Sequence, residues 1–443
     1  MPYEPSPQIL ERYARVLIDY ALGGGEGIKP GEVVRVSSPE SARPLYAELC
    51  RAVWRSGGHV IGGYYPDDEQ RGGGSRDFFE LASDEQIAHF PGHYLRGLVD
   101  EMDHQVSVIC DADPHALESV DPGRIMRRGE ALRKVIDWRG EKENEGRFSW
   151  TLGLYGTEAM AAEAEMGVED YWEQIIHACF LDQEDPIARW REVGHRLDET
   201  RERLDALEIE RVHVQGADVD LWIGIGEQRR WLGGRGRNIP SFELFTSPDW
   251  RGTEGWIRFD QPLYRYGNLV KGISLKFADG RVVEASAEQN EPILTEMIAT
   301  EGADRVGEFS LTDKRFSRIT RFMAQTLYDE NVGGPFGNTH IALGRAYQDA
   351  YSGDPAGVAS AEWERLGFND SSVHTDIVST TDRVVTAQLR GGEERVIYRD
   401  GEFRLDGGGC RLSAGGLHRR GTAVCRSRRR TSAPRSSTAN RAR

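Results

Sequence analysis

The sequence predicts an α/β N-terminal domain with a mostly parallel sheet, followed by an α+β domain with a mixed or antiparallel β core. Three observations carry this expectation. Apolar, strand-like runs alternate with helical segments from residue 9 to about residue 140, the pattern of a parallel sheet covered by helices. From about Ile209 the texture changes to short period-2 strands joined by turns such as "ADGR". A chain of 443 residues also exceeds what one ordinary core accommodates. The expected division is an N-terminal α/β domain at 1–206, a C-terminal domain at 207–406 and a tail at 407–443.

In chain order, an amphipathic helix runs to about Leu22 and ends in the Gly-rich "LGGGEG". The strand "VVRVSS", a helix around Ala42 to Ser56 and the run "GGHVIGGYY" follow. "VSVICDAD" at 106–113 is the next apolar strand, and a helix is expected around Arg124 to Gly140. No Gly-x-Gly-x-x-Gly turn or phosphate loop follows any of these strands, so nucleotide binding has no support. Residues 157–206 read as helical, with "EDYWEQIIHACF" amphipathic, and His177 and His195 are ordinary helix residues. In the second domain "IERVHVQG", "DVDLWIGI", "GWIRFDQPL" and "VKGISLKFADGRVVEASA" read as strands, and "ERVIYRDGEFRLD" as a closing hairpin turning at Asp400 and Gly401.

Composition narrows the function. A hydrophobic fraction of 38%, with 15 Phe, 15 Tyr and 10 Trp, supplies packed cores and excludes wholesale disorder. No apolar run approaches the roughly 20 residues of a membrane span, and "MPYEPSPQILERYARVLIDYAL" reads as a charged helix rather than a signal peptide, so a cytoplasmic location is expected. The cysteines, Cys50, Cys110, Cys179, Cys410 and Cys425, are scattered without Cys-x-x-Cys spacing, which argues against a zinc ribbon or a disulfide framework. The formal net charge is −16, and setting aside the ten arginines of 407–443 leaves −26 on the body, which excludes nucleic acid and membranes as partners for it. The tail itself is rich in Gly, Ser and Arg and is expected to be disordered. Its loss of all Lys, Asp and Glu after Asp406 reads as the translated out-of-frame end of a GC-rich gene, a tail that binds nucleic acid or an acidic surface being the alternative.

The chemistry gathers in the second domain. In "SSVHTDIV" a strand would set His374 and Asp376 on one face, with Val373 and Ile377 packed behind. Alone, such a pair is more often a hydrogen-bonded couple than a metal ligand. Upstream, Glu243 stands among Phe242, Leu244 and Phe245, where an unpaired carboxylate is costly. Glu308 follows Gly307 at the start of an apolar strand, and His340 precedes Tyr347 by seven residues, on one helix face or in an irregular segment. Asp329 and Glu330 of "YDEN" read as structural. Three carboxylates converging in one pocket repel each other unless protonated or neutralised by cations, and two divalent ions would neutralise them. Mixed oxygen and imidazole donors suit zinc, cobalt or manganese.

The motifs "NIPSFELFTSP", "GADRVGEFSL", "TLYDENVGG", "GNTHIALGRAY" and "SSVHTDIV", in this order, resemble those of the thermophilic metallo-aminopeptidases of the aminopeptidase T, aminopeptidase S and PepS type, over residues 8 to 404. The resemblance implies two divalent metal ions per chain, Zn2+ or Co2+ with Mn2+ or Mg2+ as alternatives, held by Glu243, Glu308, His340, His374 and Asp376. Glu308 would bridge the metals and is the catalytic candidate with Tyr347, which would hydrogen-bond the oxyanion. It further implies peptide substrates with a free N-terminus and a homodimer enclosing a cavity. The segment "GGPFGN" before His340 is longer than the usual link and is expected to reshape the cavity mouth. Two alternatives stand beside this: a mononuclear iron ring-opening dioxygenase using His340, His374 and Asp376, and a non-catalytic metal-binding protein. Glu243 and Glu308 discriminate, because one iron leaves both idle.

Overall fold

Ser6 accepts the amide of Ile9 and Pro7 opens the first turn, so the chain enters α1 (Pro7–Val16) as its capping residues dictate. The structure, a computed structural model, describes residues 3–67, 74–118, 120–233, 236–265 and 268–405. The sequence reading of the 407–443 tail, with Cys410 and Cys425, lies outside the described residues. Strand β1 (Val33–Pro39), α2 (Arg43–Arg55) and β2 (His59–Tyr65) form the first crossover unit. Helices α3 (Gly74–Leu81), α4 (Asp84–Ile87) and α5 (Gly92–Glu101) lead to β3 (His104–Ile109), and α6 (Pro122–Asn144) leads to β4 (Ser149–Leu154). All four strands are parallel, in the order β2-β1-β3-β4. The alternation along the sequence anticipated three of them. β4 is "SWTLGL", a run without clean alternation that becomes a strand by pairing with β3, and Tyr13 of α1 caps it by accepting the amide of Leu154.

Helices α7 (Glu158–Glu163), α8 (Val168–Ala178) and α9 (Pro186–Asp205) follow, as the helical reading of 157–206 expects. The chain then enters antiparallel structure. Strands β5 (Ile209–Gly216) and β6 (Val219–Gly224) pair, and β7 (Glu243–Thr246) starts a different sheet. β8 (Glu254–Arg258), the small hairpin of β9 (Leu263–Arg265) and β10 (Asn268–Val270), β11 (Ser274–Ala278), β12 (Arg281–Ser286) and α10 (Glu291–Ala299) precede β13 (Val306–Thr312). After α11 (Thr326–Asp329), β14 (Asn338–Gly344), α12 (Ser360–Arg365) and β15 (His374–Ser379), strands β16 (Arg383–Leu389), β17 (Glu394–Arg399) and β18 (Glu402–Phe403) close the described chain. An eight-stranded sheet runs β12-β11-β8-β6-β5-β16-β17-β18 and a four-stranded one β15-β14-β13-β7, all antiparallel. Asp400 and Gly401, at φ 54° and 72°, make the two-residue turn between β17 and β18 that the Asp-Gly pair anticipates.

One apolar core joins the parallel and antiparallel halves, and it fixes the start of β7. Phe242 stacks on Trp190 of α9 at 5.3 Å and meets the edge of Phe180. Residues 333–337, expected at the cavity mouth, instead lie against the β17–β18 turn: Tyr398 donates to the carbonyls of Thr312 and Phe336, and a Cβ on Gly401 would strike the backbone of Phe336 and Gly337. None of them lines the large cavity described below. Cys50, Cys110 and Cys179 are buried free thiols, and no described helix is long and apolar enough to cross a membrane.

Candidate metal centre

The four-stranded sheet brings the candidate ligands together by register. Ala342 on β14 pairs with Glu308 on β13 and with Asp376 on β15, so the two carboxylates flank a methyl group on one face. His340, two residues earlier, shares that face and pairs with Ser310, and Glu243 on β7 pairs with Thr312. His374 lies two residues from Asp376 on β15, as the strand reading of "HTD" requires, with Val373 and Ile377 buried on the opposite face. A bulge at Gly307 shifts the register and aims Glu308 onto the ligand face. A Cβ on Gly307 would come 2.4 Å from the carbonyl oxygen of Gly344, so glycine is required where these strands meet. Tyr347 is not on a helix with His340. It follows the end of β14 in a loop, its ring edge-on to His374 at 4.9 Å and to Phe245 at 5.7 Å.

The ligand atoms form two sets of three that share Glu308: Glu243, Glu308 and His340; and Glu308, His374 and Asp376. His340 Nε2 lies 3.1 Å from Glu243 Oε2 and 3.4 Å from Glu308 Oε1, and His374 Nε2 lies 3.5 Å from Asp376 Oδ1 and 3.7 Å from Glu308 Oε2. The far nitrogens are anchored: His374 Nδ1 donates to the Arg345 carbonyl at 2.8 Å, and His340 Nδ1 approaches Asn338 Oδ1 at 3.3 Å. Both Nε2 atoms therefore face carboxylates. Nε2 of His340 is buried, close to two carboxylates and without hydrogen-bond geometry to either, the arrangement of a ligand atom aimed at a cation.

Electrostatics describe the cost of this cluster in the absence of cations. Burial pushes the Glu308 carboxyl up to about 7, with the charges of Glu243 and Asp376 adding to the shift. Burial opposes the His340 imidazolium, yet Glu243 and Glu308 hold its pKa well above the usual range. Burial raises Asp376, but the adjacent His374 outweighs it and leaves it below the usual carboxylate range. Burial keeps the Tyr347 hydroxyl well above its ordinary pKa, so it is a proton donor at neutral pH. Positive charge between the carboxylates removes the repulsion, and the five oxygen and nitrogen donors suit a divalent cation.

The cluster opens into a cavity of about 720 Å3. "YDEN" has a divided role there. Asp329 accepts the amides of Met323 and Gln325, and Asn331 accepts the amide of Phe242, fixing the residue before Glu243. Glu330 instead lines the cavity, with Asn238 donating to it, and burial together with Glu243 and Asp376 raises its pKa well above normal. Its sequence reading as structural misses this placement. The N-terminal half contributes Trp150, Asp198 and Arg201 to the wall, and Arg237 bridges Glu143 of α6 to Asp349 beside Tyr347. No local pattern in the sequence marks these residues, because they reach the site through packing of α6, α9 and β4.

The profile of the thermophilic metalloproteases (M29) matches residues 6–403. The chain belongs to this family. Among curated relatives, Aminopeptidase T of Thermus thermophilus is 29% identical over 414 residues, covering 89% of this chain and 98% of the relative. Aminopeptidase 2 of Geobacillus stearothermophilus is 27% identical, covering 90% and 98%. The solved structure of wild-type AmpT from Thermus thermophilus superposes with a TM-score of 0.74 at 28% identity, over 89% of this chain and 99% of that one. This M29 protein is thus a metal-dependent hydrolase with the family's architecture of a parallel sheet followed by antiparallel sheets.

Proposed function

We propose that this M29 protein is an aminopeptidase that removes the N-terminal residue of a peptide, using two divalent cations held by Glu243, Glu308, His340, His374 and Asp376. The observation that carries the reading is the pair of three-residue sets sharing Glu308. When bound, such cations polarise the scissile carbonyl and make water acidic enough to attack near neutral pH. Tyr347, protonated and edge-on to the His374 ring, would donate a hydrogen bond to the oxyanion. Glu330, a cavity-lining carboxylate outside the five candidate ligands, would serve in proton transfer or as a further ligand. The one-iron alternative leaves Glu243 and Glu308 without a role, although both stand within 3.4 Å of His340 Nε2. A cavity of about 720 Å3 at the cluster speaks against a purely storage or scaffold role. Zinc or cobalt as the metal, a homodimer, a cytoplasmic location and a division of the body after residue 206 belong to the same proposal and rest on the sequence reading and the family resemblance.

The test is elemental analysis of protein purified without chelator, coupled to hydrolysis of leucine p-nitroanilide before and after EDTA. About two divalent ions per chain, with activity lost to EDTA and restored by zinc or cobalt, is the expected result. One iron per chain and no hydrolysis would overturn the proposal.

A further inference from the structure

Behind Tyr347 and His374 lies a second cavity of about 260 Å3, walled on its N-terminal side by α6. It shares Trp150, Tyr347, Asp349 and His374 with the large cavity, so the two meet across those side chains. Arg139 of α6 lines it, with its guanidinium 5.3 Å from the centre of the Phe148 ring. Its neighbours are paired: Arg345 with Asp137, and Arg237 with Glu143 and Asp349. Arg139 has no hydrogen-bond or ion-pair partner among the described residues. Burial lowers its pKa, the nearby guanidinium of Arg35 adds to that, and the opposing Glu143 is already tied to Arg237. This half-buried guanidinium has no anion beside it among the described residues, and its planar fork matches a carboxylate. The next residue on α6, Gly140, also lines the cavity, and a Cβ there would meet nothing within 4 Å.

We propose that the smaller cavity is a carboxylate-binding subsite in which Arg139 receives an anionic group of the peptide being cleaved. The inference rests on the aminopeptidase reading. Since His374 and Tyr347 touch both cavities, the anion belongs to a residue flanking the scissile bond. It is either the C-terminal carboxylate of a dipeptide or an acidic side chain, and the two sources share one chemistry.

The experiment compares kcat/KM of the metal-loaded full chain on leucyl-glycine against leucyl-glycinamide, and on glutamyl against glutaminyl p-nitroanilide. The expected result is a preference of about 10- to 100-fold for the carboxylate-bearing member of one pair, the size of a charge-assisted hydrogen bond, and that pair identifies the source. Arg139→Met should bring the ratio to about one, with partial recovery in Arg139→Lys. Gly140→Leu should lower the same ratio by filling the cavity while keeping the melting temperature, because a helical glycine is replaced by a better helix former. Equal rates within both pairs in the wild type, or a preference that survives both Arg139→Met and Gly140→Leu, overturn the subsite. If the wild type leaves even leucine p-nitroanilide intact, the aminopeptidase reading falls and the subsite with it; that substrate carries no carboxylate, so the two failures are told apart.

Discussion

Replacing Glu308 by Gln should destroy activity and yet stabilise the metal-free protein. Glu308 is 3% exposed, and its carboxyl is pushed up to about 7 from 4.5, by burial first and then by Glu243 and Asp376. At about 1.4 kcal/mol per unit, this offset corresponds to about 3 kcal/mol. The folded pKa is the raised one, so the sign is set. Below about 4.5 the group is protonated in both states and contributes no difference. Between about 4.5 and 7 the unfolded chain ionises while the folded one keeps its proton, and the destabilisation grows until it is complete above about 7. Glutamine carries no such penalty. At pH 8 in EDTA, Glu308→Gln should therefore gain about 1–3 kcal/mol, an increase of about 1–4 °C for some 400 residues at about 2.1 cal/mol/K per residue. At pH 4.5 the gain should vanish. Zinc should reverse the order, since metal at 100 times its Kd stabilises the wild type by about 3 kcal/mol and the variant has lost the carboxylate common to both sets of ligands. The assay is thermal unfolding at both pH values with EDTA or zinc, alongside leucine p-nitroanilide hydrolysis. A variant that keeps turnover, or shows no pH-dependent gain in EDTA, refutes the shared-carboxylate argument.

Tyr347→Phe keeps the ring contacts with His374 and Phe245 but removes the hydroxyl, and should lower kcat by about 100- to 1000-fold with metal content unchanged, as read by steady-state kinetics and elemental analysis. Ala342→Leu places a larger side chain between Glu308 and Asp376, and should reduce bound metal to below one ion per chain by elemental analysis while circular dichroism stays native. Metal uptake by the apoprotein should release protons and weaken as pH falls through about 7, because protonated Glu308 and the His340 imidazolium compete with the cation; calorimetry in buffers of different ionisation heat measures this. Phe242→Ala removes the ring stacked on Trp190 and should cost about 3–4 kcal/mol in denaturant unfolding, with a drop in metal affinity because Glu243 follows it directly.

The sequence by itself determined which side chains are ligand candidates and the general order of parallel and antiparallel structure. Five polar residues, each with an apolar residue directly beside it, signal chemistry because burying them without partners is unfavourable. Strand periodicity is local, so "HTD" could be read as one face and the Asp-Gly turn as a hairpin, and both readings match β15 and the β17–β18 turn. Register is not local. Only the pairing of Ala342 with both Glu308 and Asp376, and the bulge at Gly307, decided that the carboxylates converge and that Glu308 belongs to both sets. The same holds for Tyr347, which reaches His374 from a loop rather than along a helix, and for Glu330, which faces the cavity while Asp329 and Asn331 beside it hold the backbone. Arg139 and Arg237 carry no signal in the sequence at all. Their roles arise where α6 and the loop after β14, far apart along the chain, pack against each other, and whether a guanidinium finds an anion there depends on the tertiary structure alone.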